Sequence, residues 1–499
     1  MTLSLILEMA SSAAPERVVI GPRDEGVTAA ALSRQASGGA RRLLETGAGS
    51  VAFLGLSGPA FPSALFASAA AGLPFTPLNF RLAAGGLAEL ISRLDRPVVV
   101  VDEAYRAQVD PLGVPTLSTE TWIAEAERAE PAEPVAVPDD APAVVLYTSG
   151  TTSAPKGAVL RHSHLLSYVL QTVDFASADE DAAILVSVPP YHIAGIGTVL
   201  TNLYAGRRIM YLPSFTAEGW LGVAAAEAVT HAMVVPTMLA RILDQLGGGR
   251  PELPSLRAIA YGGARMPRPV LETALESFPR VDFTNAYGLT ETSSTIAVLG
   301  PEDHRAALTS TDPVVRDRLG SAGRLVPGVE AEIRGEDGTV LPPGEIGELW
   351  VRGPQVSGEY VGSGAALDEL GWFRTRDLAW IDAGGFLHVT GRADDTIIKG
   401  GENIAPAEIE EVLIRHPLVK DVAVTGAPDD EWGARILAFV VPEPGSHPAA
   451  AELKEWTRAR LRGSRTPDVI HFRQELPYTP TGKLLRRQLA AELGSAQAS

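Results

Sequence analysis

The 499 residues carry 42 Lys and Arg against 60 Asp and Glu, a formal charge of −18. So acidic a background excludes a general grip on nucleic acid or an anionic membrane, and leaves small phosphorylated ligands for any local basic site. At 45% hydrophobic and 20% charged the chain reads as globular with at least two domains; the lack of cysteine removes disulfides, iron–sulfur clusters, thiolate zinc and a cysteine nucleophile, and suggests a cytoplasmic protein.

Met1 to Glu8 has no Lys or Arg before its apolar residues, so it does not read as a signal peptide. The uncharged run 46–80 is broken by Pro59, Pro62, Pro74 and Pro77 and reads as buried core, not an integral membrane segment. Strand-like runs at 50–54 and 97–101 flank helical stretches at 61–71 and 82–94, the βαβ rhythm of a parallel sheet. The rhythm returns at 143–147, 183–188, 208–212, 232–235 and 258–261, which implies a large α/β body. The Pro/Glu/Ala stretch 130–142 reads as a linker or a surface loop. From Gly328 the texture becomes Gly-punctuated strands at 330–334, 347–351 and 385–390, with a turn at Asp337-Gly338, a β subdomain closing the body. After Asp394 a small α+β unit begins: helix 406–415, strands 419–425 and 436–441, helix 449–461 and a basic tail. The predicted division is a large domain 1–391, a hinge 392–395 and a small domain 396–499.

The most informative segment is Val144-Val-Leu-Tyr-Thr-Ser-Gly-Thr-Thr-Ser-Ala-Pro-Lys-Gly157, a strand entering a loop of hydroxyls and small residues that ends in one lysine. Such a loop can wrap a polyphosphate: Gly150 and Gly157 let backbone N–H groups approach, Thr148, Ser149, Thr151 and Thr152 donate, and Lys156 adds charge. Gly150 and Lys156 have the spacing of a Walker loop, but Pro155 and Gly157 replace its second glycine and its magnesium-holding hydroxyl, which disfavours an ordinary P-loop NTPase. Taken alone, a flexible Ser/Thr loop is an equal reading.

At these residues the sequence resembles the adenylate-forming superfamily of acyl-CoA synthetases, carrier-protein adenylation domains and luciferases. Asn285-Ala-Tyr-Gly-Leu-Thr-Glu291, Trp372-Phe-Arg-Thr-Arg-Asp377, Gly391-Arg-Ala-Asp394, Ile398-Lys-Gly-Gly-Glu-Asn403 and Pro480-Thr-Gly-Lys483 follow in the family's order. The resemblance implies ATP, magnesium and coenzyme A as cofactors. It implies that Tyr287 stacks on adenine, Thr290 bonds the α-phosphate, Glu291 holds magnesium, and Asp377 with Arg392 takes the ribose. Gly262, Gly263, Ala264, Asn285, Ala286 and Gly288 complete the implied nucleotide contacts. Lys483 would bridge the attacking carboxylate and the phosphate, Asp394 would be the hinge, and the Lys399-Gly400-Gly401 turn would approach the pantetheine channel. The family usually has glycine where this chain has Ser153 and Arg376. For Asp377 the ordinary alternative is a surface salt bridge to Arg374 or Arg376.

In amino-acid-activating relatives an aspartate occupies the position of His192 in Pro189-Pro-Tyr-His-Ile-Ala-Gly195, so the resemblance argues against an amino acid and places His192 at the acyl pocket. The expected pocket stretches 193–200, 233–238, 261–264 and 293–298 are apolar or small, which favours a medium-to-long or bulky carbocyclic acid, with an aryl acid open. Arg265, where the family commonly has a neutral residue, is either a partner for a second carboxylate or a surface group. Fatty acyl-AMP ligases typically carry an insertion that hinders rotation; none is visible between Gly328 and Arg392, which favours CoA over an acyl carrier protein as acceptor. The assembly is left open by the sequence, a homodimer among the options. A nucleotide-binding regulator would lack Glu291 or Lys483, and a kinase would yield ADP.

Overall fold

The computed structural model describes residues 1–148, 156–400, 402–429, 432–461, 463–479, 482–486 and 488–489. The α/β body is built on two separate parallel/mixed sheets, as the fold class expected, with a third, antiparallel sheet as the β subdomain. Among the described residues the first has nine strands, in the order Arg324–Leu325, Ser294–Leu299, Asp282–Leu289, Ala258–Gly262, His231–Val234, Ala183–Val186, Arg208–Tyr211, Val18–Ile20 and Val27–Thr28. Its centre is parallel, so the strands 231–234, 258–262 and 282–289 end on one edge, where ligands of such sheets bind.

The second sheet has eight strands and is parallel through Phe75–Pro77, Ser50–Leu54, Pro97–Val101 and Thr116–Ser118. It turns antiparallel where Pro142–Thr148 meets Lys156–Arg161. The uncharged run lies inside it. Ser50–Leu54 is wholly buried, and helix Ala60–Ala70 is apolar on every side, with Pro59 as its N-cap and Pro62 in its first turn, where no intrahelical N–H is lost. No helix among the described residues is long and apolar enough to cross a membrane. Segment 130–142 is not a domain boundary, because the strands on either side of it, Thr116–Ser118 and Pro142–Thr148, belong to the same sheet. It straps the body instead: Ala132 N–H donates to Ser37 and Val135 N–H to Ala70.

The third sheet is antiparallel, in the order Glu330–Arg334, Gly347–Arg352, Phe373–Ile381 and Leu387–Arg392. Along 373–377 Phe373, Thr375 and Asp377 are buried while Arg374 and Arg376 are exposed, the period of two of a half-buried strand. Asp377 therefore faces inward.

Beyond Asp395 the chain forms its own cores, one around Ile397, Ile404, Ile409, Val422, Ile436 and Leu453 and a smaller one around Phe439, Leu476 and Leu489. A long ladder pairs Val419–Asp429 with Gly433–Pro442 and outruns both predicted strands; Val469–Phe472, not foreseen, adds in parallel to the second. Helices Pro406–Leu413 and Ala450–Arg458 complete this small lobe.

Candidate active site

The strand Asp282–Leu289 carries Asn285, Ala286, Tyr287 and Gly288 to the ligand edge of the nine-stranded sheet and enters a single 3-10 turn, Thr290–Thr292. The turn closes tightly. A Cβ on Gly288 would lie 1.8 Å from the Ser294 carbonyl oxygen, so only glycine fits, and Thr292 Oγ1 accepts from Leu289 N–H while donating to Ser294 O. Ser293 and Ser294 then follow in left-handed backbone, φ 55° and 110°. On the neighbouring strand a Cβ at Gly262 would lie 2.3 Å from Ala286 O, and Gly263 turns out of the sheet at φ 81°, followed by Ala264. Asn285 is anchored to Ser321 O at 2.9 Å.

Tyr287 reaches across to the third sheet. Its hydroxyl donates to Asp377 Oδ2 at 2.5 Å, and Arg392, the register partner of Asp377, donates to Oδ1 at 2.9 Å. Asp377 is 4% exposed; burial pushes its carboxyl up, against the downward pull of Arg392, Tyr287 and Lys483. Burial also pushes the Tyr287 phenol up, with Asp377 adding to it. The surface alternative for Asp377 fails, since Arg374 pairs with Glu348 at 2.7 Å and Arg376 with Asp394 at 3.6 Å. Arg376 adopts φ 62°, the left-handed conformation glycine takes freely, so the chain keeps the glycine-like backbone with an arginine in it.

Lys483 belongs to the small lobe and still arrives here. Its N–H donates to Thr479 Oγ1 at 2.9 Å and its carbonyl accepts from Thr479 N–H at 2.8 Å, which pins the loop. Gly482, at φ 74°, seats this loop on the large body: a Cβ there would lie 3.1 Å from Thr237 Oγ1 and 3.5 Å from Val235. The ammonium is exposed, and its field lowers Asp377.

Thr148 and Lys156 stand opposite each other on adjacent strands. The sequence-predicted Ser149, Gly150, Thr151 and Thr152, and also Gly401, lie outside the described residues. Lys156 Nζ sits 5.5 Å from the centre of the Tyr360 ring, and the Tyr360 hydroxyl donates to Glu291 Oε1 at 2.6 Å. The Glu291 carbonyl accepts from Ser357 and Gly358 N–H, and Val361 N–H bonds Gly157 O, so segment 357–361 ties Glu291 to the strand that begins at Lys156. Sequence reasoning missed Tyr360, a lone tyrosine in a Gly-rich stretch with no motif around it.

Among the described residues no three His, Asp or Glu side chains gather as a metal cage. A single carboxylate, Glu291, beside Lys156 fits the other way magnesium is held, by one or two carboxylates with substrate phosphates.

His192 is the N-cap residue of helix Ile193–Ala205, its ring 4.6 Å from that of Tyr191. Its Nε2 is buried without a partner among the described residues; burial, then Arg81, lowers the imidazole to about 4, so it is neutral at pH 7. Lys399 stands apart from this cluster and is spent on Asp468, 2.7 Å from both carboxylate oxygens, while Gly400, at φ 59°, donates to Trp432 O. Arg265 pairs with Glu411 of the small lobe at 2.5 Å.

Two family models match in order: "AMP-binding enzyme" over residues 7–361 and "AMP-binding enzyme C-terminal domain" over 408–483. A feruloyl-CoA synthase from an Amycolatopsis species is 36% identical over 455 residues, 89% of each chain. A fatty acid–[acyl-carrier-protein] ligase from Streptomyces coeruleorubidus is 32% identical over 88% of this chain and 86% of its own. The o-succinylbenzoate CoA synthetase of Bacillus subtilis, solved with its acyl-adenylate intermediate, superposes with a TM-score of 0.84 at 30% identity, over 97% of each chain. The same enzyme with ATP and magnesium matches at 0.83. Matched by family models over 7–361 and 408–483, and in fold over nearly its whole length, the chain belongs to the AMP-binding enzymes, the adenylate-forming superfamily, and is an AMP-forming acid–thiol ligase.

Proposed function

We propose that this enzyme activates a bulky apolar carboxylic acid, aryl acids foremost, and passes it to coenzyme A. The carboxylate oxygen bonds to the α-phosphorus of ATP as the bond to pyrophosphate breaks; the CoA thiol, losing its proton, then attacks the acyl carbon and AMP leaves. The observation that carries the reading is the buried cluster of Tyr287, Asp377 and Arg392, with the loop of Lys483 seated on the large body near enough for its charge to act on Asp377.

Each residue has a physical reason for its role. Asp377, held between Arg392 and the Tyr287 hydroxyl, presents carboxylate oxygens to the two ribose hydroxyls, and the Tyr287 ring offers a face to adenine. Gly262, Gly263, Ala264, Ala286 and Gly288 give the base and ribose a wall of small residues, with Asn285 held beside them by its bond to Ser321. Thr290 donates to the α-phosphate, and Thr148 and Lys156 flank the outer phosphates with Ser149, Gly150, Thr151 and Thr152. Lys483 offsets the repulsion between two approaching anions. Glu291 would hold magnesium, which when bound draws charge from the departing phosphates. His192, neutral and with a buried free nitrogen, faces the reacting carboxylate as a hydrogen-bonding group rather than a charge. For the second step the small lobe, 396–499, turns about 392–395, bringing Lys399, Gly400 and Gly401 to the thiol arm.

Aromatic acids come first because the feruloyl relative is named for one, and because the expected pocket stretches carry little charge. Delivery to an acyl carrier protein is the second reading, favoured by the 32% identical carrier-protein ligase. The test is pyrophosphate release across aryl and alkyl acids, with CoA or a phosphopantetheinylated carrier protein as acceptor. An aryl acid and CoA should give AMP and a thioester; carrier-only turnover would select the second reading, and ADP would reject both.

A further inference from the structure

Arg265 leaves the Gly262-Gly263-Ala264 turn and crosses to the small lobe. Its Nη2 bonds Glu411 Oε2 at 2.5 Å and its Nη1 bonds the Ala407 carbonyl at 3.2 Å, so one guanidinium grips the helix Pro406–Leu413 at two points a turn apart. The other Glu411 oxygen, Oε1, accepts from Arg415, which keeps that carboxylate pointed outward. Among the described residues the other polar contacts between the lobes are exposed: Lys420 with Asp244 at 3.3 Å and Asn403 with Glu336 at 3.3 Å. We propose that Arg265 is a positioning residue, a latch that holds the small lobe where Lys483 reaches the nucleotide and that must open before the thiol step.

The proposal rests on the adenylation reading above, and its logic is geometric. The latch stands two residues from Gly263, so the turn that walls the nucleotide also carries the charge that holds the lobe. A planar fork bonding a carboxylate and a carbonyl together fixes the orientation of the helix as well as its distance, which a lysine's point charge does less well. With the helix held, the Gly482 loop stays seated on Thr237. Turning the small lobe away parts Arg265 from both acceptors at once.

The absence of cysteine makes a direct test clean. Val314→Cys on the large body and Glu455→Cys on the small lobe, at sites 60% and 70% exposed, accept a donor and an acceptor dye that report lobe distance with no need of turnover. R265A, R265E and R265K, and the exchange R265E/E411R, are then compared in three measurements: dye distance with ATP, single-turnover pyrophosphate release, and thioester formation from supplied acyl-adenylate. Expected are a smaller closed population and a first step slowed about two- to fivefold in R265A, the range of one exposed ion pair. R265E should lose more, R265K should lie between it and the parent, the exchange should restore the closed population, and the thioester step should hold or rise. An unchanged dye distribution in R265E, an exchange that fails to restore it, or equal loss in both half-reactions overturns the latch. If no acid forms an adenylate the functional reading falls, and the dye distances still decide the latch.

Discussion

The Tyr287 hydroxyl bonds Asp377 Oδ2 at 2.5 Å, and that contact joins the parallel sheet of the body to the antiparallel sheet beside it. The aromatic wall and the carboxylate of one site are thereby set by a single interaction, so damage to either should be felt as nucleotide binding.

Tyr287→Phe keeps the ring and removes the donor. A hydrogen bond to a buried charged group is worth about 1.5–3 kcal/mol, so KM for ATP should rise about tenfold or more while KM for the acid changes little. Steady-state kinetics with each substrate varied checks this; equal changes in both constants would contradict it.

Lys483→Ala removes a small-lobe cation whose field reaches Asp377. Losing a preorganised group opposite developing charge costs about 10²- to 10³-fold. Pyrophosphate release should fall by that much, while thioester formation from supplied acyl-adenylate is retained.

Tyr360→Phe tests the contact that the sequence did not foretell. Without the 2.6 Å bond, Glu291 loses its fixed orientation, and supporting residues of this kind typically control metal affinity by about 10- to 100-fold. The magnesium concentration for half-maximal pyrophosphate release should rise accordingly; an unchanged requirement would remove Glu291 as the magnesium ligand or Tyr360 as its support.

Acid stability has its own reporter in His162. The ring is 2% exposed, its Nδ1 accepts from Leu3 N–H at 3.2 Å, and burial, with the N-terminal ammonium, lowers it from 6.5 to about 4. Between those values the unfolded chain binds more protons than the folded one, so this contribution is whole above pH 6.5 and drains as pH falls toward 4. The slope from such a group approaches about 1.4 kcal/mol per pH unit. Calorimetric melting of His162→Gln should show a shallower fall of Tm over that window than the parent.

Motif order made much of the site legible: Asp377, Arg392, Tyr287 and Lys483 lie far apart in sequence, and the resemblance grouped them before any coordinates did. What stayed hidden depends on register and lobe placement. Arg265 has no local pattern that names Glu411, 146 residues away. Tyr360 meets Glu291 because the short strand Glu359–Tyr360 adds to the edge beside Lys156–Arg161, and two residues of strand leave no periodicity to read. At 130–142 the sequence left a linker and a surface loop open; the loop reading holds, and what composition could not show is that the Ala132 and Val135 N–H groups find acceptors on neighbouring helices. Which sheet each βαβ unit enters was equally invisible, because each unit looks alike whichever sheet it joins.

Asp394 and Asp395 are neighbours held by opposite masters: Arg376 of the body takes the first at 3.6 Å, and Arg486 of the small lobe takes the second at 3.6 Å. If the lobes turn here as proposed, the peptide plane between Asp394 and Asp395 is the place where side chains tied to the body give way to side chains tied to the small lobe. The left-handed arginine then marks the body's side of that junction, its glycine-like backbone setting the side chain that meets Asp394.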